Sequence, residues 1–184
     1  RSESIAISLG PEQVLSWVVE TAEQLLDEAG RDRGDLAAIG VGVPGPVEHE
    51  SGRPANPPIM PGWDGFDIPA WIGRHLEAPV LVDNDVNIMA LGERSAAWPT
   101  VDHLIFVKVA TGIGAGLISG GALQRGAQGV AGDIGHVRVP GGADIPCHCG
   151  NRGCLEALAS GPAMARTLRS QGIDAHDGSD VVAL

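Results

Sequence analysis

Three cysteines lie close together in the sequence, at Cys147, Cys149 and Cys154. Gly150 and Gly153 between them permit the tight backbone that three thiolates need in order to converge on one small ion. Soft sulfur ligands in tetrahedral number favour zinc. The alternative is that the thiols are simply buried as small hydrophobic groups, which is unusual in a segment this polar. The spacing therefore predicts a structural zinc site.

Two histidines compete for the fourth ligand position of this site. His148 lies between two of the cysteines, and His136 lies upstream on a predicted strand. Neighbouring residues in extended backbone point in opposite directions, so we expect His148 to point away from the metal. We therefore predict His136 as the fourth ligand, which closes the site and makes it structural rather than catalytic.

Acidic residues in two further places are candidates for chemistry on hydroxyl groups. Asn84 and Asp85 follow a predicted strand directly, where ligands of open α/β sheets bind. Asp85 suits a general base there, although helix capping explains the same residue and is the more common role. Asp133 and Glu156 flank the zinc site, and a metal would hold both rigid as acceptors for sugar hydroxyls. Solvated surface acids explain these two residues equally well.

The stretch Thr111-Gly112-Ile113-Gly114-Ala115-Gly116 is rich in glycine. Backbone N–H groups in such a stretch can cradle a phosphate, and Thr111, Gly112 and Gly114 are the candidate contacts. A glycine-rich hairpin packed against a strand explains the stretch equally well. The stretch matches neither a P-loop nor a dinucleotide-binding fingerprint.

Apolar periodicity in the first part of the chain predicts the elements that position these residues. The predicted elements are a helix over 11–29, a strand over 36–43, a long loop over 44–65, a helix over 68–76, a strand over 79–82 and a helix over 86–97. A loop as long as 44–65 is usually functional. Pro99 ends the third helix, and we predict a boundary there between an N-terminal lobe portion (residues 1–98) and a C-terminal lobe portion with the zinc site (residues 99–184).

The second portion is predicted to contain short strands followed by helices. Its predicted elements are a strand over 104–109, a glycine-rich turn over 111–116, a hairpin tip at 120–121, a strand over 136–139, a helix from about residue 155 and another after Pro162. Residues 174–184 resemble an unfinished segment. The whole pattern predicts an α/β protein.

Composition and charge argue against several functional classes. The chain has 184 residues, 43% of them hydrophobic, and a formal net charge of -11. A chain this acidic repels phosphate backbones and anionic lipid, so we expect this portion to bind neither nucleic acid nor membrane. We expect neither a transmembrane segment nor a signal peptide from this sequence. Its clustered, odd-numbered cysteines fit a metal site in a reducing cytosol, so we predict a cytoplasmic protein.

Taken in order, these segments resemble the ROK family of repressors, open reading frames and kinases. The resemblance covers roughly residues 36–170 and is most specific in Cys-x-Cys-Gly-x-x-Gly-Cys-x-Glu with an upstream Gly-His. The matching segments are 41–47, 83–93, 111–116, 126–136 and 147–156.

The resemblance implies an actin-like, two-lobed fold of the sugar-kinase and Hsp70 type, incomplete here at both ends. It implies structural zinc on His136, Cys147, Cys149 and Cys154, with the second ring nitrogen of His136 turned to the sugar. A hexose or N-acetylhexosamine would be held by Asn84, Asp85, Asp133, His136 and Glu156. In family kinases the residue at Asp85 takes the proton of the hydroxyl that attacks ATP, and Thr111 to Gly116 resembles the second phosphate-binding segment.

Two departures from the kinase pattern bear on function. Family kinases carry Glu where this chain has Asp133, and the shorter side chain weakens or lengthens the sugar contact. The first phosphate loop, of Asp-x-Gly-x-Thr type, has no counterpart before the first helix, so we expect the sequence to be a fragment of a longer protein. The Gly-Asp-Ile-Gly-His version of the motif resembles the regulator branch of the family.

The favoured hypothesis is the sugar-sensing domain of a ROK transcriptional regulator, which contacts DNA only through an N-terminal helix-turn-helix domain outside this sequence. The alternative is an ATP-dependent sugar kinase, of glucokinase or N-acetylhexosamine kinase type, that uses ATP and magnesium with Asp85 as general base. Both hypotheses predict a sugar ligand and structural zinc. Analogy with the family also suggests a homo-oligomer.

Overall fold

The computed structural model describes residues 2–142 and 144–184, and the chain forms two compact units. The first unit ends at Asp85 and the second begins at Val86. The second unit therefore starts before Pro99, whereas we expected the division after residue 98. The division into lobe portions at residues 98 and 99 stays a prediction.

The first unit opens with a long amphipathic helix. Helix α1 spans Pro11–Glu28, close to the predicted 11–29. Pro11 lies in its first turn, where the missing N–H removes no helical hydrogen bond. The helix buries Val14, Leu15 and Val19 in the core of the unit.

Two parallel strands form the centre of the first unit. Strand β1 spans Ile39–Val43 and strand β4 spans Val80–Asn84, with helix α2, Ile68–Gly73, between them in sequence. The strands pair in parallel with Val43 opposite Asn84, so their carboxyl ends lie at the same edge. Strand β1 is shorter than predicted, β4 runs two residues further and α2 ends earlier.

The predicted loop over 44–65 is only partly irregular. It contains a short antiparallel pair, β2 at Val47–Glu48 and β3 at Arg53–Pro54. Met60 and Trp63 are each 1% exposed and belong to the core, and Trp63 Nε1 donates to the backbone oxygen of Ile7 at 3.2 Å. The prediction of an irregular loop was wrong here. The apolar side chains of Met60 and Trp63 pack in the same core as those of helices α1 and α2.

Helix α3 and a three-stranded antiparallel sheet begin the second half of the chain. Helix α3 spans Asp85–Ala97, one residue longer than predicted. The sheet has the order β5-β6-β7, with β5 at Leu104–Val109 as predicted, β6 at Ile113–Ser119 and β7 at Ala122–Gln124. The predicted hairpin tip at Gly120 and Gly121 is confirmed, and both residues have positive φ as a two-residue hairpin turn requires.

The prediction of a glycine-rich turn over 111–116 was wrong from Ile113 onwards, because β6 starts at that residue. The glycines of β6 let helix α3 approach the strand closely. A Cβ at Gly114 would lie 3.1 Å from Val86 Cγ2, and a Cβ at Gly116 would overlap Ala90. Close packing of helix on strand therefore accounts for Gly114 and Gly116.

The predicted strand over 136–139 was also wrong. Ile134–His136 is a 3-10 helix, and Arg138 alone in this segment forms an isolated bridge, with Cys154. The segment bends because Gly132 and Gly135 press directly on the backbone of β6, where a Cβ would overlap Ala115 and Ile113.

Three helices complete the second unit. Helices α4, Leu155–Ala159, and α5, Gly161–Ser170, agree with the predicted helices after residue 155 and at Pro162. Helix α6, Gly178–Ala183, occurs where an unfinished segment was expected, and Asp177 caps it by accepting from the N–H groups of Ser179 and Asp180. Among the residues described, no helix has the length and apolar character needed to cross a membrane.

Candidate metal centre and sugar-binding residues

The structure brings the four predicted metal ligands together. One ligand atom from each of His136, Cys147, Cys149 and Cys154 lies within 4.8 Å of all the others. The two sulfurs of Cys149 and Cys154 are 3.7 Å apart, and Nδ1 of His136 is 3.6 Å from the sulfur of Cys147. Tetrahedral zinc geometry places two sulfurs about 3.8 Å apart and nitrogen and sulfur about 3.6 Å apart. The donor set and its spacing therefore fit a zinc ion.

Tight backbone turns hold the cysteines in this arrangement. The N–H of Cys147 donates to the carbonyl of Asn151 at 2.9 Å, and the N–H of Gly150 donates back to the carbonyl of Cys147 at 3.0 Å. Gly150 and Gly153 have φ of 89° and 78°, which L side chains rarely adopt. His148 is exposed and outside the ligand cluster, in agreement with the expectation that it points away.

The thiols of the cluster differ in acidity. Burial raises the pKa of Cys154 to about 12, and the neighbouring thiols of Cys149 and Cys147 add to the effect. Burial also raises the pKa of the Cys147 thiol. Burial opposes ionisation of Cys149 too, but hydrogen bonds from the backbone of Asn151 and from the other two thiols outweigh it and lower its pKa. A cation that binds here must displace protons from the buried thiols.

The second ring nitrogen of His136 faces an acid. Nε2 of His136 lies 3.9 Å from Oδ1 of Asp133, and the two side chains are 23% and 40% exposed. With Nδ1 at the cysteines, the imidazole stands between the metal cluster and a solvent-accessible carboxylate. At 3.9 Å the carboxylate makes no direct hydrogen bond with the ring, and both groups remain able to contact a hydroxyl.

Glu156 lies in the first turn of α4 and reaches across to the start of β6. Its Oε2 accepts a hydrogen bond from the N–H of Ile113 at 3.1 Å. The same oxygen lies close to two glycines. A Cβ atom added at Gly112 would be 2.8 Å from it, and a Cβ atom added at Gly135 would be 3.3 Å from it. The carboxylate of Glu156 is therefore fixed by backbone groups, which differs from the solvated acid considered as its alternative.

The predicted phosphate contacts lie at the turn between β5 and β6. Thr111 is exposed, Gly112 is half-buried in contact with Glu156, and Gly114 is inside β6 against Val86. Phosphate binding by these three residues stays a prediction. Gly114 differs from the loop residue that was expected, because it lies within strand β6 and packs against helix α3.

Asn84 and Asp85 lie at the carboxyl ends of the parallel strands in the first unit. Asn84 ends β4, its Nδ2 donates to the carbonyl of Gly45 at 2.9 Å, and Asp85 begins α3. This position agrees with the predicted site at the end of the strand. The sugar-binding role of both residues and the general-base role of Asp85 stay predictions.

Sequence reasoning missed two residues beside this pair. Asp83 is 7% exposed, and its Oδ1 accepts from the N–H of Asn84 at 2.8 Å. Its Oδ2 lies 3.6 Å from Nδ1 of His49, in the segment between β2 and β3. Asp83 could have been predicted from the sequence, because it is an acid on the inward side of a strand end. No local sequence feature distinguishes His49.

The five predicted sugar-binding residues thus form two groups. Asn84 and Asp85 belong to the first unit, and Asp133, His136 and Glu156 belong to the second. Within the second group the 3-10 helix at Ile134–His136 and helix α4 place the side chains around the metal cluster.

Comparison with solved structures defines the class of fold. The ROK hexokinase of Thermus thermophilus superposes with a TM-score of 0.73 at 34% identity, over 97% of this chain and 58% of that one. A ROK family transcriptional regulator, a homologue of the E. coli MLC protein, gives a TM-score of 0.72 at 29% identity, over 87% of this chain and 40% of that one. The fold is the actin-like α/β fold of the ROK sugar kinases.

The sequence defines the family. Residues 4–183 match the ROK family, and the chain belongs to it. It is 35% identical over 167 residues to the xylose repressor of Caldicellulosiruptor bescii, covering 89% of this chain and 41% of the repressor. It is 33% identical over 165 residues to the glucokinase of Halalkalibacterium halodurans, covering 89% of this chain and 49% of the kinase. The chain therefore spans less than half the length of these curated relatives, which include both repressors and kinases.

Proposed function

We propose that the chain is the sugar-sensing domain of a ROK transcriptional regulator. The observation that carries this proposal is the short acid Asp133, whose Oδ1 lies 3.9 Å from Nε2 of His136, at the position where the resemblance to family kinases implies the longer Glu. The 35% identity to a xylose repressor supports the same function. In this proposal a sugar is the effector, and DNA is bound by another part of the protein.

The electrostatics of the second unit suit a neutral polyol. Asp133 and Glu156 offer carboxylate oxygens, and Nε2 of His136 offers a ring nitrogen on the same side as Asp133. The N–H of Ile113, at the turn where a phosphate contact was expected, already donates to Glu156. A negative group there disfavours a phosphate and accepts hydrogen bonds from hydroxyl groups.

Each protein group has a defined part in sugar binding under this proposal. The residues assigned to sugar hydroxyls are Asn84 and Asp85 and, separately, Asp133, His136 and Glu156. A zinc ion on His136 and the three cysteines supplies structural rigidity when bound. The sugar can shift the equilibrium between the DNA-free and DNA-bound states of the protein only as far as its affinities for those two states differ.

Titration of the intact protein tests the proposal. Isothermal titration with D-xylose, D-glucose and N-acetyl-D-glucosamine should show saturable binding of at least one sugar. A coupled assay with ATP and magnesium should show no phosphorylation of that sugar. Sugar-dependent ATP consumption above the rate of an Asp85→Asn variant would overturn the regulator proposal, and silence from all three sugars would contradict sugar sensing by this site.

A sugar kinase is the second candidate function. The placement of Asp85 at the first residue of α3, after the end of a parallel strand, favours it, and so does the 33% identity to a glucokinase. In that case Asp85 accepts the proton of the attacking hydroxyl, and ATP with magnesium is the phosphoryl donor. Asp85→Asn should then reduce turnover at least a hundredfold while the sugar still binds.

The remaining expectations belong to the same proposal. We place the protein in the cytoplasm as a homo-oligomer, with a DNA-binding domain elsewhere in the full-length protein. The relatives that support this include a repressor of about twice the length of this chain.

A further inference from the structure

The backbone of Ile113 is contacted on two sides by elements that carry metal ligands. On one side, Glu156 accepts from the N–H of Ile113 at 3.1 Å, and Glu156 stands two residues after the ligand Cys154. On the other side, Gly135 lies so close to the carbonyl of Ile113 that a Cβ there would overlap it. Gly135 directly precedes the ligand His136. Both elements of the cluster therefore meet at one residue, Ile113.

Ile113 ends the turn between β5 and β6. The turn is closed by the N–H of Ala110, which donates to the carbonyl of Gly112 at 2.9 Å, and the N–H of Gly161 at the start of α5 donates to the carbonyl of Ala110 at 2.8 Å. Apart from the bond inside the turn, these contacts come from the stretch that runs from the 3-10 helix to the first residue of α5. The position of the turn is therefore set by the residues around the metal cluster.

The two elements are too short to be stable alone. The 3-10 helix has three residues and α4 has five, whereas isolated helices need about 12 to 15 residues to be marginally stable in water. An ion that joins His136 to Cys154 would tie the two elements together.

We propose that Glu156 is a positioning residue that couples the occupied metal cluster to the turn formed by residues 110–113. In this arrangement zinc fixes the 3-10 helix against α4, and Glu156 and Gly135 then fix the backbone N–H and carbonyl of Ile113. The coupling holds whether the protein senses a sugar or phosphorylates one, because the contact of Glu156 with the turn is the same in both cases. Failure of the sugar-sensing proposal would therefore leave it standing.

Hydrogen exchange of single amides tests the coupling in the intact, zinc-loaded protein. Glu156→Ala should raise the exchange rate of the Ile113 amide at least tenfold, because it removes the acceptor. Glu156→Gln should restore most of the protection, since its amide oxygen still accepts. The Ala115 amide is the matched control: it lies on the same strand and donates to the carbonyl of Gly132 at 2.7 Å. Equal Ile113 protection in wild type and Glu156→Ala, or no rescue by Gln, would overturn the proposal.

Gly112 provides a second variant that moves Glu156 without replacing it. A Cβ at Gly112 would lie 2.8 Å from Oε2 of Glu156. Among the described residues, and apart from the chain neighbours of Gly112, this carboxylate group is all that lies within 4 Å of it. Gly112→Ala should therefore speed Ile113 exchange in the wild-type background and have no further effect in the Glu156→Ala background. Additive effects of the two substitutions would contradict the contact.

Zinc affinity gives the reciprocal measurement. If zinc orders the turn through Glu156, Glu156→Ala must weaken zinc binding, and competition with a chromophoric chelator should show at least a fivefold loss. Glu156→Gln should bind zinc as wild type does. Unchanged zinc affinity in Glu156→Ala would overturn the coupling, and this result does not require the zinc-free protein to remain folded.

Discussion

Oδ1 of Asp133 lies 3.9 Å from Nε2 of His136, beyond the range of a direct hydrogen bond. The nitrogen on the other side of the ring faces the cysteine cluster, so the ring is oriented from that side. A hydroxyl placed beside the two groups can contact both of them. One further methylene at position 133 would bring the carboxylate closer to such a hydroxyl, which makes the length of this acid a determinant of sugar affinity.

Asp133→Glu should strengthen sugar binding. A charge-assisted hydrogen bond contributes about 1.5 kcal/mol or more, so we expect affinity to rise roughly tenfold for the sugar that binds best. Isothermal titration of the intact protein measures it. Asp144→Glu is the matched control, since Asp144 is exposed and engages Arg152 only through its backbone oxygen. Equal affinity of wild type and Asp133→Glu would show that the acid does not reach the sugar.

The two histidines of this region should respond differently to substitution. His136→Ala removes a predicted ligand, so the purified protein should lose most of its zinc and melt at a lower temperature. His148→Ala removes an exposed side chain outside the cluster and should keep one zinc per chain. Metal analysis together with thermal melting measures both effects. Zinc retained in full by His136→Ala, or lost by His148→Ala, would reassign the fourth ligand.

Sequence spacing predicted the ligand cluster because most of it is local. Cys147, Cys149 and Cys154 are joined by a few residues with glycines at the turns, so their convergence follows from the backbone alone. His136 does lie in the cluster, but the local structure predicted for it was wrong, since it ends a 3-10 helix and not a strand. The backbone of β6 forces that bend, and this long-range contact leaves no periodic signal near His136.

Contacts distant in sequence account for the other differences between prediction and structure. Gly114 and Gly116 were grouped into a turn because glycine marks turns locally, yet their role depends on Val86 and Ala90 of α3. Likewise Trp63 belongs to the core although Pro and Gly surround it. Strands β1, β4 and β5 were predictable because their apolar runs are continuous. The roles assigned to Asn84 and Asp85 rest on family resemblance and stay predictions.

Two glycine substitutions near α3 should change stability in opposite directions. Gly116→Ala places a methyl group against Ala90 and 2.8 Å from the carbonyl oxygen of Val86, and overpacking of this kind costs about 1 to 3 kcal/mol. Gly92, inside α3, has open space around its Cβ position, so Gly92→Ala should stabilise the helix by roughly 0.5 to 1 kcal/mol. Chemical denaturation measures both changes. Equal effects of the two variants would contradict the close packing of α3 on β6.

Asp67 should make the stability of the first unit depend on pH. Its Oδ1 accepts from the N–H of Ala70 at 2.9 Å as the N-cap of α2, and its Oδ2 pairs with Arg53. The backbone hydrogen bond from Ala70, followed by the bond from Arg53, lowers the pKa of Asp67. Because the folded pKa lies below the unfolded one, the carboxylate contributes its full stabilisation above the unfolded pKa of about 3.9 and loses it as the pH falls through the folded pKa.

Substitutions at Asp67 separate capping from charge. Asp67→Ala should lower the free energy of unfolding by about 1 kcal/mol near neutral pH. Asp67→Asn keeps a capping oxygen and should cost less, because the half-exposed pair with Arg53 is screened by solvent and contributes under about 1 kcal/mol. The difference between wild type and Asp67→Asn should shrink as urea denaturation is repeated from about pH 5 towards pH 2. A difference that stays constant over this range would show that the carboxylate is not stabilised in its charged form.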